Sequence, residues 1–274
     1  MTETPRHILL TGASGGIGAE TAAALAAPGT RLTLVARNPE RLRELADRLV
    51  PRAARVIAIA ADLGQSGTAA SVIAEASAAQ GAIDVLVNCA GVNDFGRFAE
   101  AAPSTIERLI VTNLLAPVQL ARAVLPAMLA RRGGRIVNVG SVMGGVGFAG
   151  FGVYCATKFG LRGFSEALRR ELKGSGVSVA YVAPRYTRTA LNTDAMDRMA
   201  RAVGMNTDAP GKAARVIAAA VNGGKPERTI GAMERLLVRV NGLAPGIVDT
   251  SLATLNRRML DHAAPAGEIL ERRT

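Results

Sequence analysis

The sequence predicts an α/β fold: a single Rossmann-like domain in which a doubly wound parallel sheet carries helices on both faces. Three observations predict it. Six short apolar segments, each typical of a buried strand, alternate with helical stretches. A glycine-rich turn joins the first segment to an alanine-rich helix. The 274 residues, 49% of them hydrophobic, suffice for one large core, and no internal repeat or long linker divides the chain, so residues 1–274 are predicted to form one domain.

The predicted strands should all end at one edge of the sheet. Right-handed crossovers bring the carboxyl ends of parallel strands together, and ligands of such sheets bind beyond that edge. The strands are predicted near residues 7–11, 31–36, 55–60, 83–88, 135–140 and 177–183. The residues at their ends are Gly12, Arg37, Asp62, Asn88, Ser141 and Pro184. We therefore expect one cleft that is lined from six strand ends.

The first of these ends is a candidate phosphate site. Gly12, Gly16 and Gly18 follow the strand and lead into a helix that is predicted to run to about Ala27. Glycines allow close backbone approach, and a helix N-terminus offers unpaired N–H groups to a phosphate. The spacing G-x-x-x-G-x-G differs from the commoner dinucleotide pattern G-x-G-x-x-G. The turn predicts a pyrophosphate site, although a tight turn without a ligand has the same pattern.

Arg37 indicates which dinucleotide would bind. It follows the second strand, where the first ribose would lie, and no acidic residue stands there to hold the 2′-hydroxyl of NAD. A cation at this position accommodates the 2′-phosphate of NADP, so we expect NADP(H) rather than NAD(H). The alternative is a solvated surface arginine, because the next helix also carries Arg41, Arg43 and Arg48.

Tyr154 and Lys158 form a candidate proton-transfer pair. They lie one helical turn apart, and Ser141 precedes them at the end of a predicted strand. Only four of the 33 basic residues are lysines, which suggests that Lys158 is required as a compact ammonium. Bringing a tyrosine pKa from about 10 toward neutrality takes roughly 4 kcal/mol, which one charge about 4 Å away supplies at a dielectric near 20. We therefore predict that Lys158 lowers the pKa of Tyr154.

Taken together, these motifs resemble the short-chain dehydrogenase/reductase family over roughly residues 6–225. The family pairs the turn Thr-Gly-x-x-x-Gly-x-Gly with a serine and Tyr-x-x-x-Lys, and this chain also has Asn88-Cys-Ala-Gly91, Asp62 and Asn113 at matching places. The resemblance implies NAD(P)-linked interconversion of a ketone and a secondary alcohol, and the cysteine spacing indicates no zinc site. It implies catalytic roles for Asn113, Ser141, Tyr154 and Lys158. The cofactor contacts that it implies are Gly12, Ser14, Gly16, Ile17, Gly18, Arg37, Asp62, Leu63, Asn88, Ala90, Gly91, Tyr154, Lys158, Pro184 and Thr189.

The roles implied for the catalytic residues are specific. Tyr154 donates a proton to the developing alkoxide while the cofactor delivers hydride, and Ser141 holds the carbonyl oxygen. The resemblance adds that Lys158 binds the nicotinamide ribose and that Asn113 holds a water. Taken alone, Ser141 and Asn113 are equally well interpreted as helix or turn caps.

The sequence departs from the family pattern in two places. Arg185 stands where the family usually has glycine after the sixth strand, and it could reach a phosphate or substrate carboxylate or lie on the surface. The next stretch, 191–209, contains Met196, Met199 and Met205 and is interpreted as an apolar lid or as ordinary helix packing.

The second departure is the C-terminal extension, about residues 233–262, which is predicted to form two apolar helices broken at Gly242 to Pro245 in place of a short final strand. Four apolar side chains of this extension are expected to contact the core or a partner subunit, a hydrophobic substrate or a membrane surface. They are Leu236, Leu237, Val240 and Leu243.

Composition limits the partners. A net charge of +11 favours anionic partners such as NADP, acyl-CoA, an acidic acyl carrier protein or an anionic membrane. Nucleic acid is not expected, because only 3% of residues are aromatic and the arginines are scattered. No signal peptide precedes the first strand, and no apolar run was expected to reach the roughly 18 residues of a membrane span, so a cytoplasmic location is predicted. The family resemblance implies a homodimer or homotetramer. Cys89 and Cys155 are interpreted as packed thiols.

The substrate and two alternative functions stay open. Apolar segments around the expected pocket favour a hydrophobic ketone, either a 3-oxoacyl thioester or a bulky lipid- or steroid-like ketone. A dinucleotide-binding redox regulator without turnover would not need the intact set of proton-transfer residues. A serine hydrolase could use Ser14, because Gly12-Ala-Ser-Gly-Gly16 matches G-x-S-x-G. That alternative lacks the earlier strands that build an oxyanion loop, and the only downstream histidine is His262.

Overall fold

The computed structural model describes residues 6–263. Its centre is a parallel sheet with the strand order β3-β2-β1-β4-β5-β6-β7. The strands are β1 Arg6–Thr11, β2 Thr30–Ala36, β3 Arg55–Ala60, β4 Val85–Asn88, β5 Gly134–Val139, β6 Val177–Ala183 and β7 Glu227–Thr229. The order reverses between β1 and β4, and the crevice at such a reversal is where doubly wound sheets bind ligands.

Helices cover both faces of this sheet. They are α1 Gly16–Leu25, α2 Pro39–Leu49, α3 Thr68–Gln80, α4 Pro103–Ile110, α5 Ala116–Ala130, α6 Gly152–Glu171, α7 Asp194–Ala202, α8 Pro210–Val221, α9 Ala232–Leu243 and α10 Pro245–Leu260. The two faces follow from the alternation along β1. Leu10 joins an apolar cluster with residues of α1, α2 and α8, whereas Leu9 joins the opposite cluster with residues of α3, α5 and α6. The predicted doubly wound α/β fold is confirmed.

One prediction about the C-terminal part is wrong, because the structure contains a short final strand, β7. The short final strand was expected to be missing, but Glu227–Thr229 pairs in parallel with β6, with Tyr181 opposite Glu227. The segment Glu-Arg-Thr has no apolar alternation, because this edge strand is only half buried. Its sequence therefore carried no strand signal.

The apolar helix that begins with α4 corrects a second prediction. α4, a five-residue π-helical segment Val111–Leu115 and α5 form one helical run of 28 residues, and an 18-residue window within it has a mean hydropathy of 1.5. By length and composition this run could cross a membrane, contrary to the expectation that no apolar run is long enough. In the fold, Leu120 and Val124 of this helix are buried against the sheet.

The C-terminal extension forms two helices, α9 and α10, and the break between them falls at Ala244, within the predicted interval. α10 is anchored by the buried side chains of Val248 and Met259. α9 buries none of its side chains completely, and its Leu236 and Leu243 are exposed. The extension therefore covers one side of the domain and leaves an apolar outer surface.

Candidate active site

The glycine turn between β1 and α1 packs closely against the loop after β4. Gly12 has a φ of 67°, and a Cβ there would lie 2.7 Å from the Cα of Ala90. A side chain at Gly18 would overlap the carbonyl oxygen of Gly12. No side chain in the described part of the protein caps α1 at Gly15, so its first N–H groups are left for a ligand. The turn, which includes the predicted contacts Ser14, Gly16 and Ile17, fits a dinucleotide pyrophosphate.

Three further predicted cofactor residues follow β2 and β3. Arg37 is exposed directly after β2, and its neighbour Asn38 caps α2. One carboxylate oxygen of Asp62 accepts a hydrogen bond from the Gly64 N–H at 2.9 Å, which orients this side chain within its loop. The side chain of Leu63 is buried in the core, so only its backbone can contact a cofactor.

The end of β4 is held by two buried polar side chains. Thr11 accepts hydrogen bonds from the N–H groups of Cys89 and Ala90, at 3.1 Å each. The amide of Asn88 donates to Asn138 Oδ1 at 2.8 Å and is buried inside the sheet. The side chain of Asn88 therefore joins β4 to β5, so the predicted cofactor contact of Asn88 would be made by its backbone.

Asn113 lies in the π-helical segment between α4 and α5. Its Oδ1 accepts from the Val92 N–H and its Nδ2 donates to the Val92 carbonyl, both at 2.8 Å. Gly91 borders the same place, because a Cβ on it would lie 3.2 Å from Asn113 Oδ1 and 3.7 Å from Lys158 Nζ. The side chain of Asn113 thus fastens the loop after β4 beside Lys158. π-helical segments of this kind occur frequently at functional sites.

Ser141, Tyr154 and Lys158 come together at the end of β5. Ser141 Oγ accepts from the Met143 N–H at 3.1 Å, and it is also a hydrogen-bond partner of the Tyr154 phenol. Lys158 Nζ lies 5.5 Å from the centroid of the Tyr154 ring and donates to the Val139 carbonyl at 3.3 Å. Ser141 therefore caps the turn after β5 and also lies beside Tyr154, and its catalytic role stays a prediction.

The electrostatics of this group differ from the prediction. Burial raises the pKa of Tyr154 to about 12, although the hydrogen bond with Ser141 opposes that shift. Burial also lowers the pKa of Lys158 to about 8. The predicted lowering of the Tyr154 pKa toward neutrality is wrong for this structure, because burial outweighs the nearby charge of Lys158. At neutral pH, Tyr154 is a protonated phenol and Lys158 remains mostly cationic.

The loop after β6 returns to the glycine turn. The carbonyl of Pro184 accepts from the Val142 N–H at 3.0 Å, which joins this loop to the one after β5. The side chain of Thr189 lies against Gly16, where a Cβ would approach its Cγ2 to 2.9 Å. Both predicted cofactor residues therefore lie at the same edge of the sheet as the turn and the catalytic group.

Arg185 lies in an internal ion-pair network. Its guanidinium donates to both carboxylate oxygens of Asp208, at 2.9 and 2.7 Å, and to Glu234 of α9 at 3.1 Å. Lys212 also donates to Asp208, at 2.9 Å. Neither open interpretation of Arg185, a ligand contact or a solvated surface residue, describes this arrangement. Its partners are 23 and 49 residues away along the chain, and no sequence pattern connects them.

An apolar cluster forms the side of the site next to Tyr154. Met196 and Met199 of α7 are completely buried there and pack with Phe95, Phe151 and Met259. Of the two interpretations of segment 191–209, ordinary helix packing describes these methionines. A cavity opens beside this cluster, and both Tyr154 and Asp94 line it.

Comparison with known proteins identifies the fold and chemistry. Residues 6–200 match the family model described as short chain dehydrogenase. The chain belongs to the short-chain dehydrogenase/reductase family. This short-chain dehydrogenase/reductase is 32% identical over 255 residues to the ketoacyl reductase HetN of Nostoc sp., which covers 90% of this chain and 88% of that relative. It is 38% identical over 188 residues to the 3-ketodihydrosphingosine reductase of Bos taurus, covering 67% of this chain and 57% of that relative.

A solved structure of a short-chain dehydrogenase is also similar to this chain. The short-chain dehydrogenase from Sphingobium yanoikuyae in complex with NADPH matches with a TM-score of 0.74 and 32% identity, covering 89% of this chain and 95% of that one. The protein is therefore a dehydrogenase/reductase that acts on a CH–OH/C=O pair with an NAD(P) cofactor. The family assignment argues against the serine-hydrolase alternative, and His7 is not free to serve as its base, because its ring nitrogens are engaged 2.9 Å from the Gly81 carbonyl and 2.8 Å from Thr33 Oγ1.

Proposed function

We propose that this short-chain dehydrogenase/reductase is an NADP(H)-dependent ketoreductase for hydrophobic ketones, with Tyr154 as its general acid. The observation that carries the proposal is the pairing of the Tyr154 phenol with Ser141, with Lys158 on the next helical turn. This group lies at the same sheet edge as the glycine turn, where a dinucleotide fits.

The proton transfer follows from the states of these side chains. NADPH, when bound, supplies a hydride to the carbonyl carbon. Tyr154, protonated because its pKa is raised to about 12, donates its proton to the developing alkoxide. Ser141 Oγ accepts from the Met143 N–H, and its hydroxyl hydrogen can turn from the Tyr154 phenol to the carbonyl oxygen when a ketone binds.

Lys158 and Asn113 support this step. Lys158 stabilises the phenolate that remains after proton transfer, since its ammonium lies over the Tyr154 ring. The family resemblance adds a contact between Lys158 and the nicotinamide ribose. Asn113 holds the π-helical segment against Val92, and we propose that the water which returns a proton binds to the backbone of this widened turn.

The preference for NADP(H) is supported by Arg37. This exposed cation follows β2, and no acidic residue stands beside it to hold a 2′-hydroxyl. The structural relative from Sphingobium yanoikuyae is a complex with NADPH. Both observations favour NADP(H) as the cofactor of this chain.

The substrate class is supported by the apolar cluster and by the named relatives. Phe95, Phe151 and Met196 make the side next to Tyr154 strongly hydrophobic. One relative is named a ketoacyl reductase and another a 3-ketodihydrosphingosine reductase. We therefore keep two substrate types, a 3-oxoacyl thioester carried by CoA or an acyl carrier protein, and a long-chain lipid-like ketone.

The experiment that tests this function is a rate measurement of NADPH oxidation with both substrate types. Acetoacetyl-CoA, longer 3-oxoacyl thioesters, long-chain ketones and cyclic ketones are compared, with Tyr154→Phe as the blank. Turnover that depends on Tyr154 with either type is the expected result. NADPH binding without turnover on any ketone would contradict a reductase and favour the regulator.

We also propose that the protein is a homo-oligomer in the cytoplasm. Exposed Ile110 and Leu115 on the α4–α5 run and exposed Phe159 on α6 offer an apolar surface to a second copy. Light scattering on the purified protein tests the assembly, and a monomer at micromolar concentration would contradict it.

A further inference from the structure

The cavity beside Tyr154 contains a carboxylate that the proposed mechanism does not use. Asp94, in the loop after β4, lines this cavity together with Tyr154, and the other lining side chains include Leu109, Phe148 and Phe151. A carboxylate in an apolar wall loses favourable hydration unless a partner compensates it. Because Asp94 and Tyr154 line the same cavity, a substrate held there could supply such a partner.

Contacts on the C-terminal side of Asp94 join its loop to the helix that carries Tyr154. The Gly96 N–H donates to the Gly150 carbonyl at 3.0 Å, which joins the loop of Asp94 to the segment that begins α6. Phe95 stacks on Phe151 with their ring centroids 4.8 Å apart, and Phe151 meets the Tyr154 ring edge-on at 6.5 Å. Ring contacts therefore connect Phe95, the residue after Asp94, through Phe151 to Tyr154.

The protein does not supply a cationic partner for Asp94. Within residues 6–263 this carboxylate forms no salt bridge, and its own loop provides one hydrogen bond, from the Phe95 N–H. Burial raises the pKa of Asp94 above its usual 3.8, and the Phe95 hydrogen bond opposes that effect. Arg97, the nearest arginine in the sequence, is exposed to solvent. The carboxylate thus keeps free acceptor positions in the cavity that Tyr154 also lines.

We propose that Asp94 determines substrate specificity by binding an ammonium group that the ketone substrate carries near its carbonyl. The inference rests on the proposed function, because it assumes that the carbonyl is held at Tyr154. An ammonium ion both neutralises the carboxylate and donates a charge-assisted hydrogen bond to it. A 3-oxoacyl thioester has no cation near its ketone, so of the two proposed substrate types this assignment selects the lipid-like ketone, in the form of an apolar-chain amino ketone.

Matched ketones test this assignment. A medium-chain methyl ketone is compared with the same ketone bearing a dimethylammonium group, or a hydroxyl group, on the α-carbon. In the wild type, kcat/KM should favour the ammonium ketone by about tenfold or more, the range of one charge-assisted hydrogen bond. Asp94→Asn should bring the ratio close to one, whereas Glu100→Gln, an exposed acid of the same loop, should leave it unchanged.

Three results would overturn the assignment. They are a wild-type ratio near one, an unchanged ratio in Asp94→Asn, and an equal preference for the hydroxy ketone, which would indicate recognition of a hydroxyl group.

A binding measurement separates this inference from the proposed function. Calorimetry compares an alkylammonium ion and the alcohol of equal chain length on the protein with NADP⁺. Asp94→Asn should weaken binding of the ammonium about tenfold relative to the alcohol. If no ketone is reduced and this difference persists, the proposed function fails while recognition by Asp94 stands. Equal weakening of both ligands overturns the recognition even in an active reductase.

Discussion

Arg185 and Asp208 form a bidentate ion pair, with Nε 2.9 Å from Oδ2 and Nη2 2.7 Å from Oδ1. The hydrogen bonds from Arg185 hold the pKa of Asp208 below its usual value, with a further contribution from Lys212. The remaining Nη1 of Arg185 reaches Glu234. One side chain therefore connects the loop after β6, the segment before α8 and the first C-terminal helix.

Replacing Arg185 with Ala should destabilise the protein strongly. The side chains of Asp208 and Glu234 are only 8% and 16% exposed, and they would lose their shared cation. We expect the free energy of unfolding, measured with urea, to fall by about 2–4 kcal/mol. Arg170→Ala breaks the exposed pair with Glu166 and should change it by less than about 0.5 kcal/mol. Equal effects of the two substitutions would show that the network stabilises nothing.

Replacing Lys158 with Met should stabilise the protein while removing activity. Burial lowers the Lys158 pKa from 10.5 to about 8, so holding this group charged at neutral pH opposes folding by about 3 kcal/mol. The increase in unfolding free energy caused by Lys158→Met should be complete below pH 8 and should shrink as pH rises toward 10.5. It should vanish above pH 10.5, because the lysine is then neutral in both folded and unfolded chains. Denaturant unfolding across this range tests it, with exposed Lys173→Met as the control. A pH-independent difference would contradict the burial argument.

Replacing Gly18 with Ala should disrupt the glycine turn. The new Cβ would overlap the carbonyl oxygen of Gly12, so the backbone must shift. We expect a loss of about 1–3 kcal/mol in unfolding free energy together with weaker NADPH binding. Gly163→Ala, on the exposed face of α6 with nothing within 4 Å, should be neutral or stabilising by up to about 1 kcal/mol. An unchanged NADPH affinity in Gly18→Ala would show that this turn does not bind the cofactor.

Replacing Arg37 with Asp should exchange the cofactor preference. The substitution removes the cation that is proposed to meet the 2′-phosphate, so the Kd of NADPH should rise about tenfold or more while that of NADH changes little. Titration of both dinucleotides by fluorescence measures the effect. Arg43→Asp, exposed on α2, makes the same charge change elsewhere. An equal loss of affinity for NADPH and NADH in Arg37→Asp would show that Arg37 does not select the 2′-phosphate and is an ordinary surface residue.

Much of the fold was predictable because its signals are local in the chain. Buried parallel strands are continuous apolar runs that can be recognised in the sequence. Tyr154 and Lys158 are four residues apart, a spacing that predicts a shared helix face. β7 escaped prediction because its three residues, two half-buried and one exposed, carry no apolar pattern. The partners of Arg185 and the placement of Asp94 and Tyr154 around one cavity depend on contacts between distant segments. The pKa of Tyr154 was mispredicted because the spacing shows a neighbouring charge but not how far burial removes both groups from water.

The central claim, that Tyr154 is the proton donor, is tested most directly by Tyr154→Phe at pH 7. The change removes only the phenolic hydroxyl and keeps the ring that packs against Phe151. With a ketone that the wild type reduces, kcat should fall by about 10²–10⁴-fold, while the Kd of NADPH stays within about twofold. A kcat within a few fold of the wild type would contradict the account, because the proton would then come from another group.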